Sequence, residues 1–297
     1  MDKTKKTILL TGGSGFIGRN LREYLESKYA VLSPSHTELE LLNQCAVRDF
    51  LRNNRVDVVI HSATVPSHRK AKNIKDIAYK NLRIFYNLAR NERHFSRMIF
   101  LGSGAEYGAQ QDIVDAKEFD FDKFVPEDEH GFSKYVCSKY IEKSDNIVNL
   151  RLFGIFGKYE DYQIRFISNV ICKSLFNIPI TIKQNRLFSY LFADDLGMIV
   201  EYFIENRPRE KIYNVVPDYK MELLALARKV NEISGKNLEI RVGSPGMGKE
   251  YTGNNSRLVE EIKEIKFTPI DVAIAKLYGW YDEHKRELDT GLLFVDP

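Results

Sequence analysis

Thr11-Gly12-Gly13-Ser14-Gly15-Phe16-Ile17-Gly18 lies between an apolar run, Lys6 to Leu10, and a stretch in which Phe16, Ile17, Leu21 and Leu25 recur at helical spacing. The first reads as a strand and the second as a helix, so the glycines occupy the turn between them. A turn of this kind lets backbone approach a pyrophosphate where no Cβ is tolerated. The helix start then offers free N–H groups and a positive dipole end to the anion. The spacing is G-x-x-G-x-x-G and not the older G-x-G-x-x-G fingerprint, and it is the flanking strand and helix that carry the argument. A dinucleotide site is expected on Gly12, Ser14, Gly15, Phe16, Ile17 and Gly18.

Strands and helices go on alternating beyond that turn. Tyr29 to Leu32, Val56 to His61, Met98 to Leu101 and Ile147 to Phe153 read as strands, with helices over 45–52, 77–90 and 132–141 between them. This rhythm predicts an α/β fold: a doubly wound parallel sheet of Rossmann type, with ligand at the carboxyl ends of the strands. After about residue 157 the rhythm loosens into helical patterns at 164–176, 221–234 and 270–284, with a Gly/Pro-rich stretch from Gly243 to Gly248 among them. The expected division is a dinucleotide-binding domain over 1–157, to which 187–216 contributes. A smaller α/β substrate lobe would be formed by 158–186 and 217–297.

Composition excludes several classes. The 297 residues, 43% hydrophobic and 29% charged, suffice for a full core, and a net charge of +3 argues for neither nucleic acid nor a membrane surface. Cys45, Cys137 and Cys172 are far apart and odd in number, which indicates neither a disulfide framework nor a metal site. The basic start, with Lys3, Lys5 and Lys6, leads into an apolar run that breaks at Thr11-Gly12. That run reads as a first strand and not as a signal peptide, and a cytoplasmic protein is expected.

Several motifs now resemble one family in the family's own order. They are Asp57-Val58-Val59-Ile60-His61 followed by Ser62-Ala63-Thr64, then Gly102-Ser103-Gly104-Ala105-Glu106-Tyr107-Gly108. Gly131-Phe132-Ser133-Lys134, Arg151 to Gly157 and Ala193-Asp194-Asp195-Leu196 follow. Together they resemble the extended short-chain dehydrogenases/reductases, the NAD-dependent epimerase/dehydratase family. Glu38 to Leu51 is most similar to its sugar-nucleotide branch of the GDP-fucose-synthase type. The resemblance implies a hydroxyl that polarises a carbonyl, a Tyr that moves the proton, and a Lys four residues later on the same helix face. Ser103 takes the hydroxyl position, although a Ser capping the turn after a strand would look the same. Lys134 takes the Lys position, against the alternative of a solvated helix Lys.

The Tyr position departs from the pattern, because His130 stands four residues before Lys134. A second Y-x-x-x-K, Tyr135 to Lys139, has the spacing but lies five residues on. That offset turns a side chain by about 140° around a helix, so it cannot share the geometry of the first. His130 is therefore assigned the Tyr position. Three readings stay open: a natural His acid, a natural loss of activity, or an altered catalytic residue.

Absences narrow the reaction. Relatives that eliminate water carry Asp-Glu where this chain has Gly104 and Ala105. Relatives that epimerise neighbouring carbons carry a Cys where Ala105 stands, and a His that is missing between His130 and His284. Simple hydride transfer remains, and the resemblance implies reduction of a nucleotide-diphospho-4-keto-(6-deoxy) sugar at C4. A 4-epimerase is the alternative, and a catalytically impaired cofactor-binding protein the alternative of another class. Glu106 is expected to meet sugar hydroxyls or solvent. Leu32-Ser33-Pro34-Ser35-His36 follows the second strand without a carboxylate before Glu38, which favours NADP(H) over NAD(H). Ser33 and Ser35 would hold the 2′-phosphate with Arg19 or Ser14 nearby, and Glu40 and Leu41 would lie near adenine. Ser62, Ala63 and Asn81 would support the cofactor side, Asn81 through a backbone contact. Substrate is expected on Ser103, Gly104, Ala105, Arg165, Asn169 and Arg186, and Asp195 is expected to cap the helix that follows it. In relatives the helix bearing Asn81 and the helix bearing Lys134 form a dimer interface, so a homodimer is implied.

Overall fold

The computed structural model describes residues 5–65 and 74–294; Lys3 lies outside them. The first half alternates β1 (Thr7–Thr11), α1 (Phe16–Leu25), β2 (Ala30–Leu32), α2 (Gln44–Asn53), β3 (Val58–His61), α3 (Ile77–Ala89) and β4 (Arg97–Ser103). A short excursion carries β5 (Ile113–Ala116), after which α4 (Glu129–Ile141), β6 (Ile147–Leu152) and β7 (Gly154–Phe156) return to the rhythm. The second half runs α5 (Phe166–Leu175), β8 (Ile180–Asn185), β9 (Leu187–Phe188), β10 (Tyr190–Phe192), α6 (Ala193–Glu205) and β11 (Ile212–Val215). It ends with β12 (Met221–Glu222), α7 (Leu223–Ser234), β13 (Ile240–Met247), β14 (Tyr251–Gly253), α8 (Ser256–Glu261) and α9 (Ile270–Glu283).

Six strands form one sheet in the order β11-β6-β4-β3-β1-β2, and each neighbouring pair is parallel. Alternation along the strands explains the two helical layers. Ile8 and Leu10 face α1 and α6 with Leu21, Leu25, Leu196 and Phe203. Leu9 and Val59 face α2, α3 and α4 with Val47, Phe85, Leu88 and Ile141. The doubly wound sheet read from the sequence is thus present. Its strand order reverses between β1 and β3, so the crevice for a ligand opens above their carboxyl ends.

A separate apolar cluster joins α5, α7 and α9 through Ile171, Leu226, Ile274 and Tyr281. The Gly/Pro-rich stretch Gly243 to Gly248 runs mostly within β13, which pairs in parallel with β8. The pairing accommodates Pro245 by shifting register between Ser244 and Met247, where no ladder N–H is required. Residues 187–216 straddle both regions: β11 lies at the edge of the main sheet, and Phe192 packs in the second cluster.

Candidate active site

The glycine turn is shaped by close approach. Gly12 has φ of +72°, and a Cβ there would lie 2.7 Å from the Ala63 nitrogen. A Cβ on Gly18 would come within 2.0 Å of the Gly12 carbonyl oxygen, so helix and turn touch backbone to backbone. No side chain caps α1, whose N-cap is Gly15, and its first turn carries no acid. Uncapped N–H groups beside an exposed Ser14 and Gly15 fit a pyrophosphate. The end of β3 closes one side: the Ser62 amide donates to the Thr11 carbonyl at 3.3 Å, and the Ala63 amide to Thr11 Oγ1 at 3.4 Å. Asn81 accepts from the Val65 amide at 2.7 Å and from Thr64 Oγ1 at 3.3 Å, bracing the strand exit from α3. These residues fit a nicotinamide dinucleotide.

The end of β2 differs from expectation. Ser33 packs onto the glycine turn, its Oγ 1.9 Å from where a Gly13 Cβ would stand. Ser35, however, is already committed. Its amide and its hydroxyl both donate to Glu38, at 2.7 and 2.8 Å, and these bonds hold the Glu38 carboxyl below its ordinary value. Sequence distance concealed this, because a turn folds Glu38 back onto Ser35. Arg19 is not at β2 either; its guanidinium lies 3.8 Å over the Tyr159 ring. Glu40 is exposed and accepts from the Leu42 amide, while the Leu41 side chain is buried in the core.

Ser103 ends β4 and opens a single 3-10 turn, Gly104–Tyr107. Ser103 Oγ accepts from the Ala105 amide at 3.1 Å, and the Ser103 amide donates to Glu106 Oε1 at 2.9 Å. This reciprocal S-x-x-E box fixes the Ser side chain and leaves its own proton free to donate. Neither fate expected for Glu106 holds. It is wholly buried, with Arg151 Nε 2.6 Å from Oε2, and it accepts from Ser138 Oγ and Asn149 Nδ2. Arg151 is buried as well and donates to the Tyr107 hydroxyl, so an internal ion pair supports the serine turn from below. Gly104 packs under the Phe153 ring, where a Cβ would come within 2.6 Å.

α4 starts at Asp128, whose carboxylate accepts from the Gly131 amide at 2.8 Å. Lys134 is buried, not solvated: Nζ donates to the Leu101 carbonyl at 2.6 Å and sits over the Phe100 ring. Burial lowers its pKa. His130 is half-buried one turn earlier. Burial, then the charges of Lys134 and Arg165, push its pKa down to about 4 against an upward pull from Asp128. Tyr135 and Lys139 point elsewhere, both bonding the exposed Asp122.

On the substrate side, Arg165 precedes α5 and its charge acts on His130, Glu160 and Tyr190. Arg186 lies 5.7 Å from the Phe188 ring, and its charge also acts on Tyr190. Asn169 is wholly buried; its Nδ2 donates to the Tyr162 carbonyl at 3.0 Å, bracing the loop that ends in Arg165, while its Oδ1 has no partner among the described residues. Asp195 does not cap its own helix; it accepts from the Thr268 amide and hydroxyl and ties α6 to the start of α9. One residue at the site escaped the sequence reading. Tyr251 of β14 directs its hydroxyl at the Ser103 side chain and the Ala105 amide. Nothing local distinguishes it, since β14 is three residues long and follows a Gly-rich stretch. Glu106 had a readable signal in Ser103-x-x-Glu106.

Residues 8–215 match the NAD dependent epimerase/dehydratase family. The chain belongs to that family and is an NAD(P)-dependent enzyme. It is similar to a GDP-L-colitose synthase of Yersinia pseudotuberculosis, 24% identical over 67% of this chain and 72% of the relative. It is also similar to the GDP-L-fucose synthase of Escherichia coli K12, 21% identical over 97% and 95%. Among solved structures it shares its fold with MlghC, a GDP-mannoheptose C4 reductase from Campylobacter jejuni with NADP bound. There the TM-score is 0.79 and the identity 19%, covering 95% of this chain and all of that one. Among the described residues no helix is long and apolar enough to cross a membrane.

Proposed function

We propose that the chain is an NADP(H)-dependent reductase of a nucleotide-diphospho-4-keto-(6-deoxy) sugar. What supports this reading is that α4 packs on the serine turn, a Gly131 Cβ standing 2.9 Å from the Ala105 carbonyl, while Lys134 bonds the Leu101 carbonyl on β4 and its charge acts on His130. A bound reduced nicotinamide supplies the hydride. Ser103, held by its capping box, donates to the ketone oxygen and draws charge toward it. Lys134 stands on the cofactor side, and its buried ammonium favours negative charge developing nearby. His130 fills the place of the family's Tyr. Its pKa, pushed down to about 4, leaves it a neutral imidazole at neutral pH, whose remaining N–H is a much weaker acid than an imidazolium. Arg165 and Arg186, whose charges both act on Tyr190, would clamp the diphosphate.

The preference for NADP(H) is supported by the NADP named for MlghC, whereas the Glu38 carboxylate, folded back onto Ser35 at the end of β2, stands against it. A 2′-phosphate that takes the Ser35 amide and hydroxyl must displace Glu38, so Glu38 sets the affinity. The lobe division read above and a homodimer through α3 and α4 belong to the same proposal. Tyr79, Tyr86 and Phe132 leave an apolar outer surface on those two helices.

Absorbance loss of NADPH and of NADH with GDP-, dTDP-, CDP- and UDP-linked 4-keto-6-deoxy sugars tests the reading. Turnover with one of them and a lower Kd for NADPH are expected. Binding of NADPH without turnover of any ketosugar would replace the reductase with a cofactor-binding protein. Equal affinity for NADH would remove the NADP assignment.

A further inference from the structure

Ketone reduction requires a proton at the oxygen that Ser103 holds, and the usual donor is missing from α4. We propose that Tyr251, reaching in from β14, donates this proton. The inference rests on the reductase reading. Its basis is position. The Tyr251 ring lies 5.2 Å from that of Phe153, which itself packs on Gly104 beside Ser103, and this packing turns the phenol toward the Ser103 side chain and the Ala105 amide. Two donors then converge on one acceptor from two different elements.

The ring is held for this task. Phe153 lies 5.2 Å from it and Phe188 5.7 Å, centroid to centroid. The Tyr251 carbonyl accepts from the Ser189 amide at 3.2 Å, and β14 pairs with both β5 and β9. Arg186 lies over Phe188, so the row Arg186, Phe188, Tyr251, Ser103 runs from the phosphate side to the reacting carbon.

Charge agrees with the assignment. Burial raises the pKa of the phenol, and the charges of Glu106 and Asp128 act the same way, against the pull of Ser103 and the Ala105 amide in the other direction. Tyr251 therefore stays protonated through the neutral range, where His130, facing Lys134, Asp128 and Arg165, is a neutral imidazole. In the step, the carbonyl carbon receives a hydride from the reduced nicotinamide and the C=O π pair becomes a lone pair on oxygen. That oxygen takes the phenolic proton, and the tyrosinate is reprotonated by solvent. The raised pKa keeps the phenol protonated but also makes it a weaker acid, so the transfer depends on the basicity that the oxygen gains as the hydride arrives.

The test compares wild type with Tyr251→Phe, which keeps the ring and removes the hydroxyl. With the ketosugar that turns over, kcat of Y251F should fall by about 100-fold or more, the ordinary range for loss of a general acid. KM and the calorimetric Kd for NADPH should change less than about threefold, and melting should show the fold intact. Wild-type kcat should stay level from about pH 5.5 to 8.5, whereas His130 as donor would make it fall about tenfold per unit. Equal kcat in Y251F, a loss confined to KM or Kd, or that falling profile would each overturn the role of Tyr251. A wild-type chain that oxidises NADPH with no ketosugar overturns the reductase reading, and the assignment falls with it.

Discussion

Helix α4 carries two lysines, five positions apart, into opposite settings. Lys134 is buried against β4, its Nζ on the Leu101 carbonyl and its charge felt at His130. Lys139 is about two-fifths exposed and pairs with Asp122, 3.0 Å away, to which Tyr135 also bonds. Only the outer pair, Tyr135 and Lys139, has the spacing that a motif search seeks. Only the inner pair, His130 and Lys134, lies beside Ser103. The contrast teaches that what makes a lysine chemically useful here is a dry setting next to a strand end. In water the same charge is screened and gains little from its partner.

The largest expected effect comes from exchanging the two lysines for methionine. Lys134→Met should lower kcat/KM by about 100- to 10,000-fold and weaken NADPH, because a buried positive charge is lost beside the reacting centre. Lys139→Met should change kcat/KM by less than about twofold. Steady-state kinetics of both variants decide it, and equal losses would erase the distinction between the faces.

The support beneath the inner face offers a second comparison. Arg151 and Glu106 are wholly buried and hydrogen-bonded to Ser138, Asn149 and Tyr107. Arg151→Met leaves a buried carboxylate without its cation and should cost about 3–5 kcal/mol in urea unfolding. Tyr135→Phe, on the outer face, should stay within about 0.5 kcal/mol. A small loss in the first variant would mean that the hydrogen bonds from Ser138 and Asn149 hold the turn under Ser103 without the ion pair.

How much of this was legible depended on range. The glycine turn, the alternating strands and the register of Ser103, His130 and Lys134 are local patterns, and each stands within a residue or two of its expected element. Glu38 was legible in principle: a carboxylate three residues after Ser35 folds back in a tight turn, and sequence distance was the wrong measure. The bracing of the Tyr162 loop by Asn169 was not legible, because a helix face does not announce which loop it will pack against. Tyr251 was out of reach altogether. It arrives at Ser103 only because β14 pairs with β5 and β9, and no periodicity in three residues encodes that pairing.

The smallest effect concerns protons on the inner face. His130 has a folded pKa of about 4, whereas an unfolded imidazole titrates near about 6.5. Between those values the unfolded chain binds more protons, so stability rises with pH. The contribution is fully present above about pH 6.5 and is lost as pH falls toward 4. Buried His61, lowered to about 3 by burial and by the Lys134 charge, acts in the same direction. His130→Gln should therefore flatten the fall of Tm between about pH 6.5 and 4.5, by an amount worth of order 1–2 kcal/mol. Asp122→Asn on the outer face should leave that slope as it is, because the carboxylate it removes titrates below the window, held down by Tyr135 and Lys139. An unchanged slope in His130→Gln would mean that water and Asp128 keep the imidazole charged. The neutral inner face, on which the transfer of acid duty to Tyr251 depends, would then have to be given up.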